Sequence, residues 1–467
     1  MNRLNAIISE RCKRSFYYFV KEFWDIVEPG SEYKDNWHIE LICKYLEATV
    51  DGRIKNLIIN IPPRHMKSLL VGVFFPAWVF IRHPEKKFLC ASYSANLAIR
   101  DNVACRNLVS SYKYKTLFRH VKLVKDQNQK HKFQTTQNGF RMGIGVGGGA
   151  TGEGGDWIIV DDPIKADNAY SSKIRDSVNF WWDNTMSTRL NDPNTGVKII
   201  IQQRLHEDDL VGHILKTQPD KWEALILPFE YEGERYKSSI GLNDKRSTYG
   251  EILWPNRFDR QTLDELKKSM SSIGVAGQLQ QRPFPETGAI FKKEWFKPSK
   301  NKNYIERFMS WDTASTINVS SAYSTCIIGD VTASGELIIR HVYRDRLEFP
   351  DLLKKIDNLA EEFFVDPSKD FSIVIEDKSS GTQLLQTIKR NSKYSPNVFA
   401  FQPKGDKVSR AMIASVFCEN GKVFFSETDE DWLEVFKKEL FSFPNSSYRD
   451  QVDAFTQLVY FTKEFLQ

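Results

Sequence analysis

The stretch Asn56–Leu70, NLIINIPPRHMKSLL, limits what this chain can fold into more than any other. The apolar run Leu57–Ile59 predicts a short buried strand, which Pro62 and Pro63 end. Lys67-Ser68 follows, and Leu69–Ile81 is apolar over a length that suits a buried helix. Strand, tight loop, Lys-Ser, helix is the layout of a phosphate-binding loop. In such a loop backbone N–H groups and the helix N-terminus hold phosphates, Lys reaches the terminal ones, and Ser holds Mg²⁺. Pro63, Arg64, His65 and Met66 would then line the phosphates of ATP, with Lys67 and Ser68 completing the site. Two usual glycines are replaced: Ile61 stands at the first position and Met66 stands before Lys67. On this stretch alone, a Pro-broken turn ahead of a core helix is the competing reading.

The flanking pattern alternates strand and helix. Phe16–Ile26 and Ile39–Val50 predict helices, the second led in by Trp37-His38, for which ordinary packing and an adenine-side contact both fit. Lys87–Ser92 predicts a strand, Ala95–Ser111 a helix, and Phe133–Thr136 and Phe140–Ile144 short strands. The glycine-rich run 143–155 suits a loop whose backbone approaches something closely. Trp157–Val160 is an apolar strand running into Asp161-Asp162. Sheets of this kind bind ligands at the carboxyl ends of their strands. There Asp161 would hold Mg²⁺ opposite Ser68, and Asp162 would orient the water that attacks the γ-phosphate. Carboxylates capping a helix near Ser171 are the alternative. Val197–Ile201 predicts a third central strand, and Gln203 at its end would sense hydrolysis. Glu207–Asp209 fits the first turn of a helix.

The second half reads as three strands, helix, strand, helix, strand, helix. Arg307–Ser310 leads to Trp311-Asp312; Ala322–Asp330 and Glu336–Tyr343 complete a meander. Phe371–Ile375 ends in Glu376, and a last helix spans Asp450–Phe465. That order is the order of an RNase H-like fold. Its chemistry needs carboxylates at the ends of the first and fourth strands and on a late helix. Asp312, Glu376 and Asp453 stand there, and Asp450, one turn before Asp453, is a fourth candidate ligand. Two Mg²⁺ or Mn²⁺ ions about 4 Å apart need such shared oxygen ligands. Lys404, Lys407 and Arg410 follow the fifth strand, where DNA phosphates or plain solvent would meet them. With no sequence-reading module in view, contact with DNA would be to its backbone.

At 467 residues the chain should hold two or three domains, and a net charge of +5 permits a polyanionic partner without demanding one. Six scattered Cys without a C-x-x-C suggest neither a zinc site nor a disulfide framework. The N-terminus lacks a signal-peptide core, and the most apolar run is too short for a bilayer. The expectation is a cytoplasmic protein with no membrane contact.

The segments PPRHMKS, IIVDDP, QQRLHEDDL and LQQRPFPETGAIFKKEWF together resemble the large subunit of a tailed-bacteriophage terminase, from about Trp37 to the end. SWDTA, VIEDKSSGTQL and RDQVDAF resemble its nuclease domain. The resemblance implies an α/β chain in which a P-loop NTPase domain of the ASCE type precedes an RNase H-like nuclease. The expected layout is a motor over 1–285, with a lid at about 227–281, a linker over 286–303 and a nuclease over 304–467. By position Lys67 and Ser68 become the phosphate-loop pair and Asp161 the metal aspartate. Asp162 sits where most members carry a catalytic Glu, and Gln203 where the coupling motif often has Thr or Ser. The arginine finger is expected where this chain has Glu153-Gly154, leaving Arg141 or Arg64 as substitutes. The implied work is ATP-driven movement of double-stranded DNA into a procapsid and cutting of concatemers. It would be done by a ring, a pentamer by resemblance, docked on a portal protein and served by a small terminase subunit. A repair or recombination nuclease with an ATPase clamp, and a nucleotide-binding assembly protein with both sites degenerate, are the alternatives.

Overall fold

A computed structural model describes the chain apart from residues 1–2, 150–151, 234–237, 284–289, 314–322, 366–369, 379, 404, 428–430, 447 and 467, and apart from the side chains of 127, 380 and 391. Lys404 and the first part of the expected linker therefore lie outside the described residues. The chain divides into two compact units, Met1–Pro285 and Glu286–Gln467.

The first unit is built on eight strands: β1 Asn56–Asn60, β2 Lys87–Ser92, β3 Leu123–Asn128, β4 Lys132–Thr135, β5 Phe140–Gly145, β6 Trp157–Asp161, β7 Val197–Gln202 and β8 Glu223–Ile226. They lie in the order β3-β4-β5-β2-β6-β7-β1-β8. From β5 to β8 all neighbours are parallel, whereas β3 and β4 add an antiparallel edge. Parallel strands are covered on both faces, which is why they are continuous apolar runs. Leu57 and Ile59 face one core together with Ile199 and Ile201, while Ile58 and Ile200 face the other. Placing β7 between β1 and β6 makes this the ASCE arrangement of a P-loop fold.

The helix after the phosphate loop differs in detail from expectation. Leu69–Phe74 is π-helical and only Phe75–Arg82 is α-helical. Pro76 has no N–H and its ring crowds the carbonyl four residues back, so the preceding turn widens. A helix at Arg3–Arg14 escapes the sequence reading because it buries only Ser9 and Cys12. Next to it the aromatic helix Phe16–Val27 packs Phe16 against Trp78, ring centroids 5.2 Å apart, and Phe23 against Tyr114 at 5.8 Å. Between 227 and 281 a small core of Phe229, Leu263 and Leu279 forms around the helix Arg260–Lys268.

The second unit holds β9 Lys297–Ser299, β10 Glu306–Asp312, β11 Ser324–Val331, β12 Leu337–Asp345, β13 Asp370–Glu376, β14 Val398–Phe401 and β15 Val423–Ser426. Their order is β14-β13-β10-β11-β12-β15-β9. The antiparallel trio β10–β12, with β13 and β14 parallel on the far side of β10, is the RNase H-like sheet. Part of the expected linker is structural: β9 pairs with β15, and Phe296 stacks on Phe425 with centroids 5.1 Å apart. The three Pro and clustered Lys of 282–302 read as a spacer, but Pro298 is tolerated because β9 is an edge strand. All six Cys are buried and unbridged. Among the described residues no helix is long and apolar enough to cross a membrane.

Candidate functional site

The first site forms where β1, β6 and β7 end. Because β7 lies between the other two, Gln203 emerges between the phosphate loop and the Asp161-Asp162 pair. Ile61 fills the first glycine position because its side chain belongs to the core: it is fully buried, and its N–H donates to the Gln202 carbonyl at 3.3 Å. Met66 does the other glycine's conformational work instead, with φ 65°, and Arg64 is left-handed too at φ 65°. Such backbone costs a non-glycine residue about 1–2 kcal/mol and is held only by its surroundings. Left-handed residues in a tight loop turn N–H groups toward one centre, the concavity that anions occupy.

Lys67 is buried and ion-paired with Asp162. Asp162 is itself clamped, with φ 42°. Its N–H donates to the Ile201 carbonyl at 3.0 Å, and its carbonyl accepts from the Tyr93 N–H at 3.1 Å. The Gln203 N–H donates to its Oδ1 at 3.1 Å. The Asp161 carboxyl is pushed up to about 7, chiefly by burial and further by the charge of Asp162, against the pull of Lys67 and of the Ser68 hydroxyl bonded to it. Asp161 Oδ1 and Gln203 Oε1 are buried polar atoms without a hydrogen-bond partner. An unmatched carboxylate oxygen beside a serine hydroxyl fits the oxygen-donor chemistry of Mg²⁺.

Several neighbours serve packing. The His65 ring is fully buried, stacks on Phe258 at 5.0 Å, meets Phe229 edge-on at 5.1 Å, and approaches the Pro63 carbonyl through Nδ1 at 2.9 Å. Burial lowers its pKa to about 4. His38 is likewise sealed against Trp254, centroids 5.0 Å apart, so ordinary packing is the reading that fits. Arg141 is corrected as a finger candidate. It is fully buried, with Nε donating to the Gly72 carbonyl at 2.9 Å and Nη1 to Asn102 Oδ1 at 2.8 Å. Glu153 pairs with Lys132, and Arg64 stays exposed. Sequence reasoning missed what Arg204 does: its Nε bonds Asp209, which caps the helix Leu210–Thr217, and its N–H donates to Gln281 Oε1 at 3.0 Å. That couples the end of β7 to the 227–281 segment.

The second site lies at one end of the other sheet. Asp312 ends β10, Glu376 ends β13, and Asp450 and Asp453 sit in the first turn of the helix Asp450–Phe465. Three contacts fasten that helix. Ser310 Oγ donates to the Ala454 carbonyl at 2.9 Å, and Thr325 Oγ1 to the Asp450 carbonyl at 3.0 Å. Gln457 Nε2 bridges the carbonyls of Trp311 and Val374 at 3.2 and 3.1 Å. These anchors were invisible in the sequence, where each reads as an ordinary polar residue in an apolar strand or helix. Gly381 keeps Glu376 in place, because a Cβ there would lie 1.9 Å from the Glu376 carbonyl oxygen.

Burial holds the Asp312 carboxyl well above the usual range, and Asp453, Glu376 and Asp450 add to it while Lys407 opposes. All four carboxylates thus share one electrostatic neighbourhood, and all are hard oxygen donors suited to divalent cations. Their grouping is not a ready cage, however. Among the described residues no three His, Cys, Asp or Glu side chains come together closely enough to hold a metal ion. Asp453 is ion-paired with Lys407 and with Arg410 Nη2, the latter at 2.7 Å. Those two cations, for which DNA phosphates or plain solvent were the expected surroundings, turn inward to the acid.

With the geometry in place, residues 309–460 match the family described as the terminase RNaseH-like domain. Among solved structures, the large terminase of a thermophilic bacteriophage matches with a TM-score of 0.54 at 10% identity, covering 95% of this chain and 99% of that one. Its complex with ADP matches at 0.53 and 10% identity, covering 89% and 98%. The HK97 bacteriophage large terminase matches at a TM-score of 0.36 and 11% identity, covering 96% and 99%. No curated protein matches by sequence. The chain thus has the fold of a phage large terminase, and its residues 309–460 match that family's RNase H-like domain. The resemblance read from the motifs is borne out.

Proposed function

We propose that this chain, with a terminase RNase H-like domain inside the fold of a phage large terminase, uses ATP hydrolysis to drive double-stranded DNA into a procapsid and cuts that DNA with its second unit. The observation that carries the motor half is strand order: with β7 between β1 and β6, Gln203 follows β7 and bonds through its N–H to the same Asp162 that pairs with Lys67. Lys67 would leave Asp162 for the terminal phosphates, while the N–H groups of 63–68 hold the rest. Freed of its ion pair, Asp162 would orient the attacking water. Ser68 and Asp161 would hold Mg²⁺, which neutralises the charge developing on the phosphates. Gln203, bonded through its N–H to Asp162, would report that change to Arg204 and Gln281.

In the second unit Asp312, Glu376, Asp453 and Asp450 would hold two Mg²⁺ or Mn²⁺ ions. Bound there, the ions supply the Lewis acidity that phosphodiester hydrolysis needs. Lys407 and Arg410 would release Asp453 for that purpose, and DNA phosphates are suitable acceptors for the two displaced cations. The partners are duplex DNA, a portal protein, a small terminase subunit and further copies of this chain in a ring, a pentamer by resemblance, in the host cytoplasm. Purified protein tests the reading. Mg²⁺-dependent ATPase should vanish in Lys67→Ala and plasmid cutting with Mn²⁺ should vanish in Asp312→Ala, each leaving the other activity intact. Wild type inert in both assays would favour a nucleotide-binding assembly protein instead.

A further inference from the structure

Beside the acid cluster, two tyrosines and two arginines form a platform to which the cutting chemistry gives no task. Tyr323 precedes β11 and Tyr448 precedes the last helix; their ring centroids are 5.2 Å apart at 77°. The Arg344 guanidinium lies 3.9 Å from the Tyr323 centroid and 4.6 Å from that of Tyr448. Arg346 lies 4.1 Å from the Tyr323 centroid. Tyr448 remains 44% exposed although it is a large ring.

The platform is tied to the cluster. Arg344 reaches Glu439 at 3.4 Å, and Glu439 in turn accepts from the Gln451 N–H at 2.8 Å. The Tyr323 N–H donates to Asp450 Oδ2 at 3.0 Å. Asp345 is exposed between the two arginines, and Glu439 and Asp450 are the other acids at hand. A strand of nucleic acid approaching four carboxylates is repelled unless positive charge stands nearby, and two guanidinia stand here. An exposed ring such as Tyr448, with arginines beside it, is what a strand with unstacked bases binds, through stacking and phosphate contacts together.

We propose that Tyr323, Tyr448, Arg344 and Arg346 bind the DNA strand flanking the cut, with an unstacked base on Tyr448 and a backbone phosphate at Arg346. This rests on the nuclease reading of the adjacent acids. It predicts a preference for DNA whose bases are locally unpaired, because a base inside an intact stack presents no face to Tyr448.

Binding is measured in an Asp312→Asn background, using a fluorescein-labelled duplex, the same duplex with a short unpaired bubble, and a bubble carrying 2-aminopurine. The bubble should bind more tightly than the duplex and its 2-aminopurine fluorescence should be quenched. Tyr448→Ala should weaken bubble binding about tenfold and remove the quenching, and Tyr448→Phe should retain both. Arg346→Ala should lower the slope of log affinity against log salt by about one. With Asp312 intact, Tyr448→Ala should raise KM for bubble DNA with kcat little changed. Thermal unfolding of the second unit, unchanged in each variant, shows that it is folded. If Asp312-intact protein cuts DNA but Tyr448→Ala and Arg346→Ala bind and cut like the parent, the platform assignment is wrong and the nuclease reading stands. If the parent neither binds nor cuts DNA, both fall together.

Discussion

The two candidate sites meet the same electrostatic problem, and the difference lies in which cation meets it. Each gathers carboxylates at the carboxyl ends of strands, and each answers the repulsion with a basic side chain of the chain itself. In the first unit that cation is Lys67, already in the loop where phosphates would sit, so ligand binding only turns it from Asp162 to a new partner. In the second unit the cations are Lys407 and Arg410, which occupy the acid that a metal ion would need. A buried carboxylate without a partner is costly, so a protein fills the place from its own sequence until a ligand takes over. On the proposed reading, the first site keeps its cation where a phosphate would sit, and the second keeps its cations on an acid that a metal ion would need.

The strongest way to break this comparison is to remove the central residue on each side. Lys67→Ala should reduce ATPase, and Asp312→Asn should reduce DNA cutting, each by at least about 100-fold, with the opposite activity retained. Loss of both activities in either variant would mean that the two sites are not separable.

Acid should strike the first unit harder. An unfolded histidine takes up its proton near pH 6.5, whereas buried His65 does so only near 4. Between those values the unfolded chain binds more protons, so stability is full above about pH 6.5 and declines as pH falls toward 4, by up to about 3 kcal/mol. Urea unfolding followed by hydrogen exchange in residues 60–70 measures this, and His65→Phe should flatten the dependence.

Arg410→Ala leaves Asp453 short of one of its two cations in a buried place and should cost the second unit about 3 kcal/mol. Added Mg²⁺ should recover part of that loss, because it would take the vacated role; no recovery would show that the acids do not bind the ion. A smaller effect, about 2 kcal/mol, is expected for Gly381→Ala, whose Cβ would press on the Glu376 carbonyl. Thermal unfolding should register it, with a raised metal requirement for cutting as its companion. Lys407→Met, at a half-exposed position, should change stability least and lower the Mn²⁺ concentration needed for half-maximal cutting a few-fold.

Local pattern went far in this chain. The strand ends carrying Asp161, Asp312 and Glu376 were legible because an apolar run stopped by a charged residue is a contiguous signal, and Lys67 because Lys-Ser stands in a tight loop between an apolar strand and an apolar helix. Asp453 was legible because its helix is long and strongly patterned. Arg141 misled for the same reason in reverse: beside a glycine-rich loop it reads as a free cation, and only folding brings Gly72 and Asn102 to it. The short strand β9 stayed hidden, since three residues with a proline carry no periodicity and gain their pairing from β15 alone.

The amino-acid order by itself determined which acids would end strands and that Lys67 would stand in the loop between an apolar strand and a helix. Folding alone decided that β7 would slide between β1 and β6, that Lys407 and Arg410 would close on Asp453, and that Gln457 would span β10 and β13. The physical reason is range. Hydrophobic periodicity and turn chemistry act over a few neighbouring positions, whereas strand order and ion pairing join groups dozens to hundreds of residues apart. Such partners are selected by packing of the whole core and by the cost of leaving any buried charge alone.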